Sequence, residues 1–150
     1  VLKLGWAFGS FLAQSQVQKV VIGKDTRLSG YMFESALEAG LVAAGMNVIQ
    51  LGPMPTPGVS FLTKYLANTA GIMISASHNP FHDNGIKFFN SLGFKLTDAQ
   101  EAEIEALLDQ PLITVPNESI GRAERLKNAY TTYQNFYRES FPKLSLQGFK

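Results

Sequence analysis

No cysteine occurs anywhere in the chain, which excludes disulfides and thiolate metal sites and suits a reducing, cytoplasmic compartment. No apolar stretch reaches the roughly 18 residues that a membrane span needs. The N-terminus, Val1-Leu2-Lys3-Leu4-Gly5-Trp6, lacks both the charged leader and the long apolar core of a signal peptide. A membrane is therefore not an expected partner. Neither is nucleic acid, because the net charge is only +1 and no Lys/Arg block or stripe stands out. Neither Gly-x-Gly-x-x-Gly nor a P-loop occurs, so there is no glycine-rich phosphate cradle. No His/Asp/Glu cluster has the spacing of a self-contained metal site; His82 with Asp83 reads better as a polar loop tip. Internal repeats and low-complexity tracts are also lacking.

What is present suits one globular core: 150 residues, 45% hydrophobic and 17% charged. Leu4 to about Ala13 reads as a helix, with Leu4, Ala7, Phe8, Phe11 and Leu12 on one face. Lys19-Val20-Val21-Ile22 is a β-branched strand ending at Gly23. Ser29 is placed as the N-cap of a helix running to about Ala44, with Phe33, Leu37, Leu41 and Ala44 inward and Gly45 just past its end. Asn47 to Leu51 is a second strand, and Thr56-Pro57 opens a helix reaching roughly Leu66. Ala70 to Ala76 and Ile86 to Asn90 are the third and fourth strands. Phe94-Lys95-Leu96 folds back after a turn at Ser91-Leu92-Gly93, and Asn84-Gly85 is a turn whose glycine is expected at positive φ. Thr97-x-x-Gln100 is a capping box for a helix with Ile104, Leu107 and Leu108 inward. A last helix is predicted from about Arg122 to Phe141, with Leu126, Ala129, Tyr133 and Phe136 on its apolar face.

Strand–helix–strand–helix–strand with near-continuous apolar strands predicts an α/β fold. It is a three-layer α/β/α sandwich around a mixed, mainly parallel four-stranded sheet. The link from Ala76 to Ile86 is too short for a crossover, so the last strand is expected antiparallel. Ligands of such sheets bind outside the carboxyl ends of the parallel strands. Those ends are Lys24-Asp25-Thr26-Arg27, Met54-Pro55-Thr56 and Ser77-His78-Asn79. Both chain ends read as cut. Residues 1–141 are expected to form one domain, N-terminally truncated, and 142–150 a linker and the start of a second domain.

The chemistry concentrates in Ser75-Ala76-Ser77-His78-Asn79-Pro80 and the residues that follow. A serine hydroxyl is a weak nucleophile unless a base, a metal or cationic surroundings assist it. An isolated serine is usually a turn residue, but Ser77 stands at a strand end amid polar side chains. His78 is a poor base for it, since adjacent residues in extended backbone point to opposite sides, and no Gly-x-Ser-x-Gly elbow is present. Arg27 and Lys87 on a shared rim would make a cationic pocket for phosphate, Arg as a fork and Lys as a point charge. Partial burial of Lys87 at a strand start would suit it to acid/base use. Asp25 reads as a loop organiser pairing with Lys24 or Arg27, and Asn84 divides evenly between turn and site.

Ser75-Ala76-Ser77-His78-Asn79-Pro80, with Asn84-Gly85-x-Lys87 downstream and Gly23-Lys24-Asp25-x-Arg27-x-Ser29-Gly30 upstream, resembles the α-D-phosphohexomutase superfamily. Ser75 in place of the common Thr, together with Leu51 to Pro57 and Asp83 to Phe89, is most similar to its bacterial phosphoglucosamine mutase branch. The resemblance covers nearly the whole chain but only the first of that family's four domains. It implies that Ser77 is a phosphorylated serine, with His78 and Lys87 around the transferring group and Arg27, Asn79 and Asn84 beside it. It also implies Mg²⁺ bound through the Ser77 phosphate, with its remaining ligands outside this chain, a phosphosugar substrate, and a hexose 1,6-bisphosphate intermediate and activator. The family's Asp-rich metal loop, sugar loop, phosphate-clamping domain and N-terminal Gly-Thr-x-Gly-x-Arg segment have no counterpart here. The fragment alone is accordingly expected to be inactive, its partners being the remaining domains of the same polypeptide. A non-catalytic phosphosugar-binding module is the alternative, or less so a phosphomannomutase or phosphoglucomutase of the same superfamily.

Overall fold

A computed structural model describes residues 1–148. The elements run α1 (Leu2–Leu12), β1 (Lys19–Lys24), α2 (Ser29–Ala43), β2 (Asn47–Pro53), α3 (Thr56–Tyr65), β3 (Thr69–Ile74), β4 (Ile86–Phe89), α4 (Asp98–Leu107), β5 (Ala123–Arg125) and α5 (Ala129–Ser140), with one turn of 3₁₀ helix at Asn117–Ser119. The sheet order is β4-β3-β1-β2-β5, with β1 central. β1 pairs in parallel with β2 and β3, β5 pairs in parallel with β2, and β4 runs antiparallel to β3. No described helix is long and apolar enough to cross a membrane.

The alternation of strand side chains divides the core in two. Val20 and Ile22 of β1 face one side with Phe8, Leu37, Leu41 and Ile104, under α1, α2 and α4. Val21 faces the other with Met73, Val59, Leu62 and Tyr133, under α3 and α5. These are the helical layers the pattern predicts. Of the α5 aromatics, Tyr133 is buried and Phe136 lies 4.5 Å from the Phe61 ring, whereas Tyr130 and Tyr137 are exposed.

Several details differ from the sequence reading. The sheet has a fifth strand, β5, which shortens the last helix to Ala129–Ser140. Ala123, Glu124 and Arg125 are all exposed and carry no apolar signal; they are strand because the free edge of β2 offers its backbone. Ser29 is the first residue of α2, after Leu28, rather than a side-chain cap. Thr56 likewise lies inside α3, whose cap is Pro55. Gly85 is not at positive φ, unlike Gly45 and Gly93. A Cβ there would lie 2.7 Å from the Ser75 carbonyl oxygen, so it is close backbone approach that requires glycine. The Thr97–Gln100 capping box forms as predicted, and Lys95 bridges back to Phe89. Residues 142–148 contain no strand, and the remainder of the expected second-domain start lies outside the described residues.

Helices α1 and α2 cross backbone to backbone. A Cβ on Gly40 would sit 2.0 Å from the Leu2 carbonyl oxygen and 2.6 Å from the Trp6 nitrogen, and one on Gly5 would sit 2.4 Å from the Leu37 oxygen. Alanine is the better helix former by about 1 kcal/mol, yet the clash is with main chain and cannot be relieved by a rotamer change. Gly40→Ala is therefore expected to destabilise the domain by a net ~2–3 kcal/mol, read as a lower urea midpoint at unchanged slope.

Candidate functional site

β3 ends at Ile74, and the chain then makes a polar loop before β4. Ser75 is buried; its N–H donates to the Gly85 carbonyl at 2.8 Å, closing the base of the loop. Two turns follow, with Asn79 N–H on the Ala76 carbonyl (3.1 Å) and Asp83 N–H on the Pro80 carbonyl (3.0 Å). Ser77 has φ +56°, a left-handed conformation that costs a residue with a Cβ about 1–2 kcal/mol. Such strain persists only where the surroundings enforce it.

Arg27 supplies much of that enforcement. Nη1 donates to the carbonyls of Pro80 (2.5 Å) and Asp83 (2.8 Å), and Nη2 to those of Ser77 (3.2 Å) and Asn79 (2.9 Å). Nε donates to Asp25 Oδ2 at 3.0 Å. All the N–H groups of the guanidinium are thus engaged. The sequence places Arg27 as a fork for phosphate; in the structure the fork is closed on the serine loop, and Arg27 is a positioning residue for it. Its charge still lies beneath Ser77.

Asp25 is the loop organiser expected of it, and Arg27, not Lys24, is its partner: Oδ1 accepts the Arg27 backbone N–H at 3.0 Å. Burial pushes its carboxyl up, but the Arg27 N–H, the Ser75 hydroxyl and the Arg27 guanidinium outweigh it and hold it below the ordinary 3.8. A carboxyl depressed on folding stabilises the fold fully above its unfolded value, and that contribution is lost as pH falls through the lower folded value. Stability carried by this clamp should therefore be flat from neutrality down to the carboxylate range and fall only below it. Denaturant midpoints of wild type and Asp25→Asn should differ by a constant amount above the carboxylate range and converge only as pH falls through it.

Lys87 begins the return along β4 and reaches Ser77: its Nζ donates to Ser77 Oγ at 2.8 Å. The amine and the hydroxyl on which the sequence reading converges are in direct contact. Among the described residues, exposed His78 makes no side-chain hydrogen bond, and His82 faces Asp83 at 3.7 Å, so neither imidazole is placed there as a base for Ser77. Asn79 Nδ2 donates to Asp83 Oδ2 at 3.2 Å. Asn84 accepts from Ser29 Oγ at 2.5 Å and donates to the His82 carbonyl at 3.3 Å, so both of its polar atoms organise the loop. No cluster of three or more His, Asp or Glu suited to a metal exists among the described residues. Near Ser77, Asp25 is committed to Arg27 and Asp83 to Asn79.

Two features escaped the sequence reading. Lys24 turns beneath α2 and forms a buried ion pair with Glu34, its ammonium also lying 4.4 Å from the Tyr31 ring centroid. The spacing of Gly30, Glu34, Leu37 and Leu41, all buried on one face of α2, was the available signal. Ser75 is the other: its hydroxyl oxygen accepts the Ser77 N–H at 3.0 Å.

Residues 1–112 match the family described as phosphoglucomutase/phosphomannomutase, alpha/beta/alpha domain I. A phosphoglucosamine mutase of Pseudoalteromonas translucida is 55% identical over 150 residues, covering 99% of this chain and 33% of that protein. One from Chromohalobacter salexigens is 57% identical over 155 residues, covering 100% of this chain and 34% of that protein. The chain thus spans about a third of the length of the curated relatives it matches. Among solved structures, a phosphoglucomutase/phosphomannomutase family protein from Burkholderia thailandensis superposes with a TM-score of 0.76 at 26% identity, covering 97% of this chain and 32% of that one. Sequence motifs, sheet order and family match agree: the chain belongs to the phosphoglucomutase/phosphomannomutase family and carries its α/β/α domain I.

Proposed function

We propose that the full-length protein is a phosphosugar mutase, interconverting a hexose 6-phosphate and 1-phosphate, and that Ser77 is its phosphoryl carrier. The observation that carries this is the 2.8 Å contact between Lys87 Nζ and Ser77 Oγ, on a loop strained at Ser77 and clamped by Arg27. Glucosamine phosphate is the proposed substrate, because the relatives at 55% and 57% identity are phosphoglucosamine mutases. The Oγ–P bond of phosphoserine breaks as a P–O bond forms to the free hydroxyl of the hexose phosphate, giving a 1,6-bisphosphate. The other phosphate of that bisphosphate then returns to Ser77 Oγ. In the net reaction the proton of the accepting sugar hydroxyl ends on Ser77 Oγ as the phosphoryl group leaves it, and the Lys87 amine beside Oγ is placed to deliver a proton to that oxygen and to offset its negative charge. Arg27 fixes the carbonyls around it, so little reorganisation accompanies transfer.

Hard oxygen ligands suit Mg²⁺, and a phosphate on Ser77 would be the one ligand this chain offers, the others lying in further domains. When bound, the ion would neutralise charge on the transferring phosphoryl group. His78 and Asn79, exposed beside Ser77, are proposed to face the phosphosugar, as is Asn84 from across the loop. Domain I is proposed to extend to residue 141, with 142–150 leading to the next domain, and the fragment is proposed to be inactive without its partners. The setting is the cytoplasm.

Peptide mapping of the purified full-length protein tests the carrier. Phosphate on the peptide containing Ser77, exchanging with labelled hexose 1,6-bisphosphate, is the expected result. An unmodified Ser77 that takes up no label would overturn the reading, and phosphosugar binding without label would favour a binding module instead.

A further inference from the structure

We propose that Ser75 is a positioning residue for phosphoryl transfer, its hydroxyl gripping the Ser77 amide so that the serine is held left-handed with Oγ on Lys87. This rests on the mutase reading and deepens it. Each polar group of Ser77 is tied to a different element. The N–H goes to Ser75 Oγ at the end of β3, the carbonyl to Arg27 from the loop after β1, and Oγ to Lys87 in β4. Removing any one of these releases a rotation that swings Oγ. The amide is the tie nearest the strained φ, since φ is the rotation about the N–Cα bond. Ser75 itself cannot move: it is buried, and its backbone N–H is bonded to Gly85, whose backbone packs directly on it.

A hydroxyl carries a single hydrogen and two acceptor sites. Ser75 Oγ accepts the Ser77 N–H, leaving its own hydrogen for a second acceptor. The Asp25 carboxylate lies beside it, across the crevice between the ends of β1 and β3. Asp25 in turn holds the backbone N–H and Nε of Arg27, which closes on the Ser77 carbonyl. The result is a ring: Ser77 N–H is bonded to Ser75, the Ser75 hydroxyl stands beside the Asp25 carboxylate, Asp25 is bonded to Arg27, and Arg27 is bonded back to Ser77. Alanine at 75 opens the ring at the amide. Threonine keeps it closed, since its hydroxyl has the same reach and its β-branch suits a strand end.

Full-length wild type, Ser75→Ala and Ser75→Thr are compared for kcat, KM and amide hydrogen exchange of the peptide spanning 75–85. Ser75→Ala is expected to lower kcat about tenfold to hundredfold with KM within about twofold, and to speed exchange in that peptide by a similar factor. Ser75→Thr is expected to restore both to within a few fold of wild type. Unaltered kcat and exchange in Ser75→Ala, or a threonine variant no better than alanine, would overturn the inference. A uniform loss from poor folding would show as faster exchange in β1 and β2 as well, and that too counts against it. A wild type without mutase activity would overturn the mutase reading alone, leaving the exchange comparison to decide the tether.

Discussion

Ser77→Ala in the full-length protein is expected to lower turnover at least about 10³-fold, and Lys87→Met about 10²-fold. The double variant should be no slower than Ser77→Ala alone. The reason is geometric: Lys87 Nζ touches this site through Ser77 Oγ, at 2.8 Å, and has nothing to assist once that oxygen is gone. Additive losses would mean that Lys87 acts elsewhere. Folding should be nearly unaffected by either change, because alanine meets the same left-handed penalty as serine at φ +56°. Ser77→Gly separates the two effects. It should be as inactive as Ser77→Ala, yet more stable by about 1 kcal/mol, since glycine accepts positive φ without strain. A coupled assay of hexose 6-phosphate formation and a guanidinium melt measure the two quantities. The serine's backbone is thus strained for its task, and relieving the strain should stabilise an inert protein.

The sequence made the sheet legible because its strands are buried on both sides. Val20, Val21, Ile22, Ile72, Met73 and Ile74 form continuous apolar runs, and only a covered parallel sheet tolerates them. The antiparallel turn of β4 followed from the short link after β3, and the residues of that link pointed to the site. β5 was illegible for the converse reason: Ala123-Glu124-Arg125 buries nothing, and its strand form is imposed by β2. Arg27 was legible as a functional cation and as a partner for Asp25, though the loop it clamps was not. Its four other acceptors are the carbonyls of Ser77, Asn79, Pro80 and Asp83, and backbone oxygens leave no trace in a sequence. Asn84-Gly85 spells a turn glycine in sequence, whereas the constraint on Gly85 is the Ser75 backbone. In each case an element that answers to its own side chains was readable, and one that answers to a neighbour's main chain was not.

Lys24→Met should destabilise the domain by about 3–5 kcal/mol, whereas Lys24→Met combined with Glu34→Leu should return to within about 1 kcal/mol of wild type or exceed it. Both partners are buried, at 0% and 6% exposure. Removing the ammonium leaves the Glu34 carboxylate in an apolar setting, with Oε1 already lacking a hydrogen-bond partner among the described residues. That uncompensated charge, not the lost attraction, sets the size of the effect. Removing both charges removes the desolvation cost together with the attraction, and the two nearly cancel. Loss of the contact with the Tyr31 ring subtracts about 0.5–1 kcal/mol more from either variant. The pair should also be insensitive to salt, since ions do not screen groups removed from solvent. The double variant then asks what the pair is for. Lys24 immediately precedes Asp25, and Glu34 lies on the helix that follows Arg27, so the pair fixes both ends of the segment that clamps the serine loop. If a stable double variant exchanges amide hydrogens faster across 25–28 and 76–84 and turns over more slowly, the buried charges hold register at the site. If it matches wild type in both, they contribute packing alone.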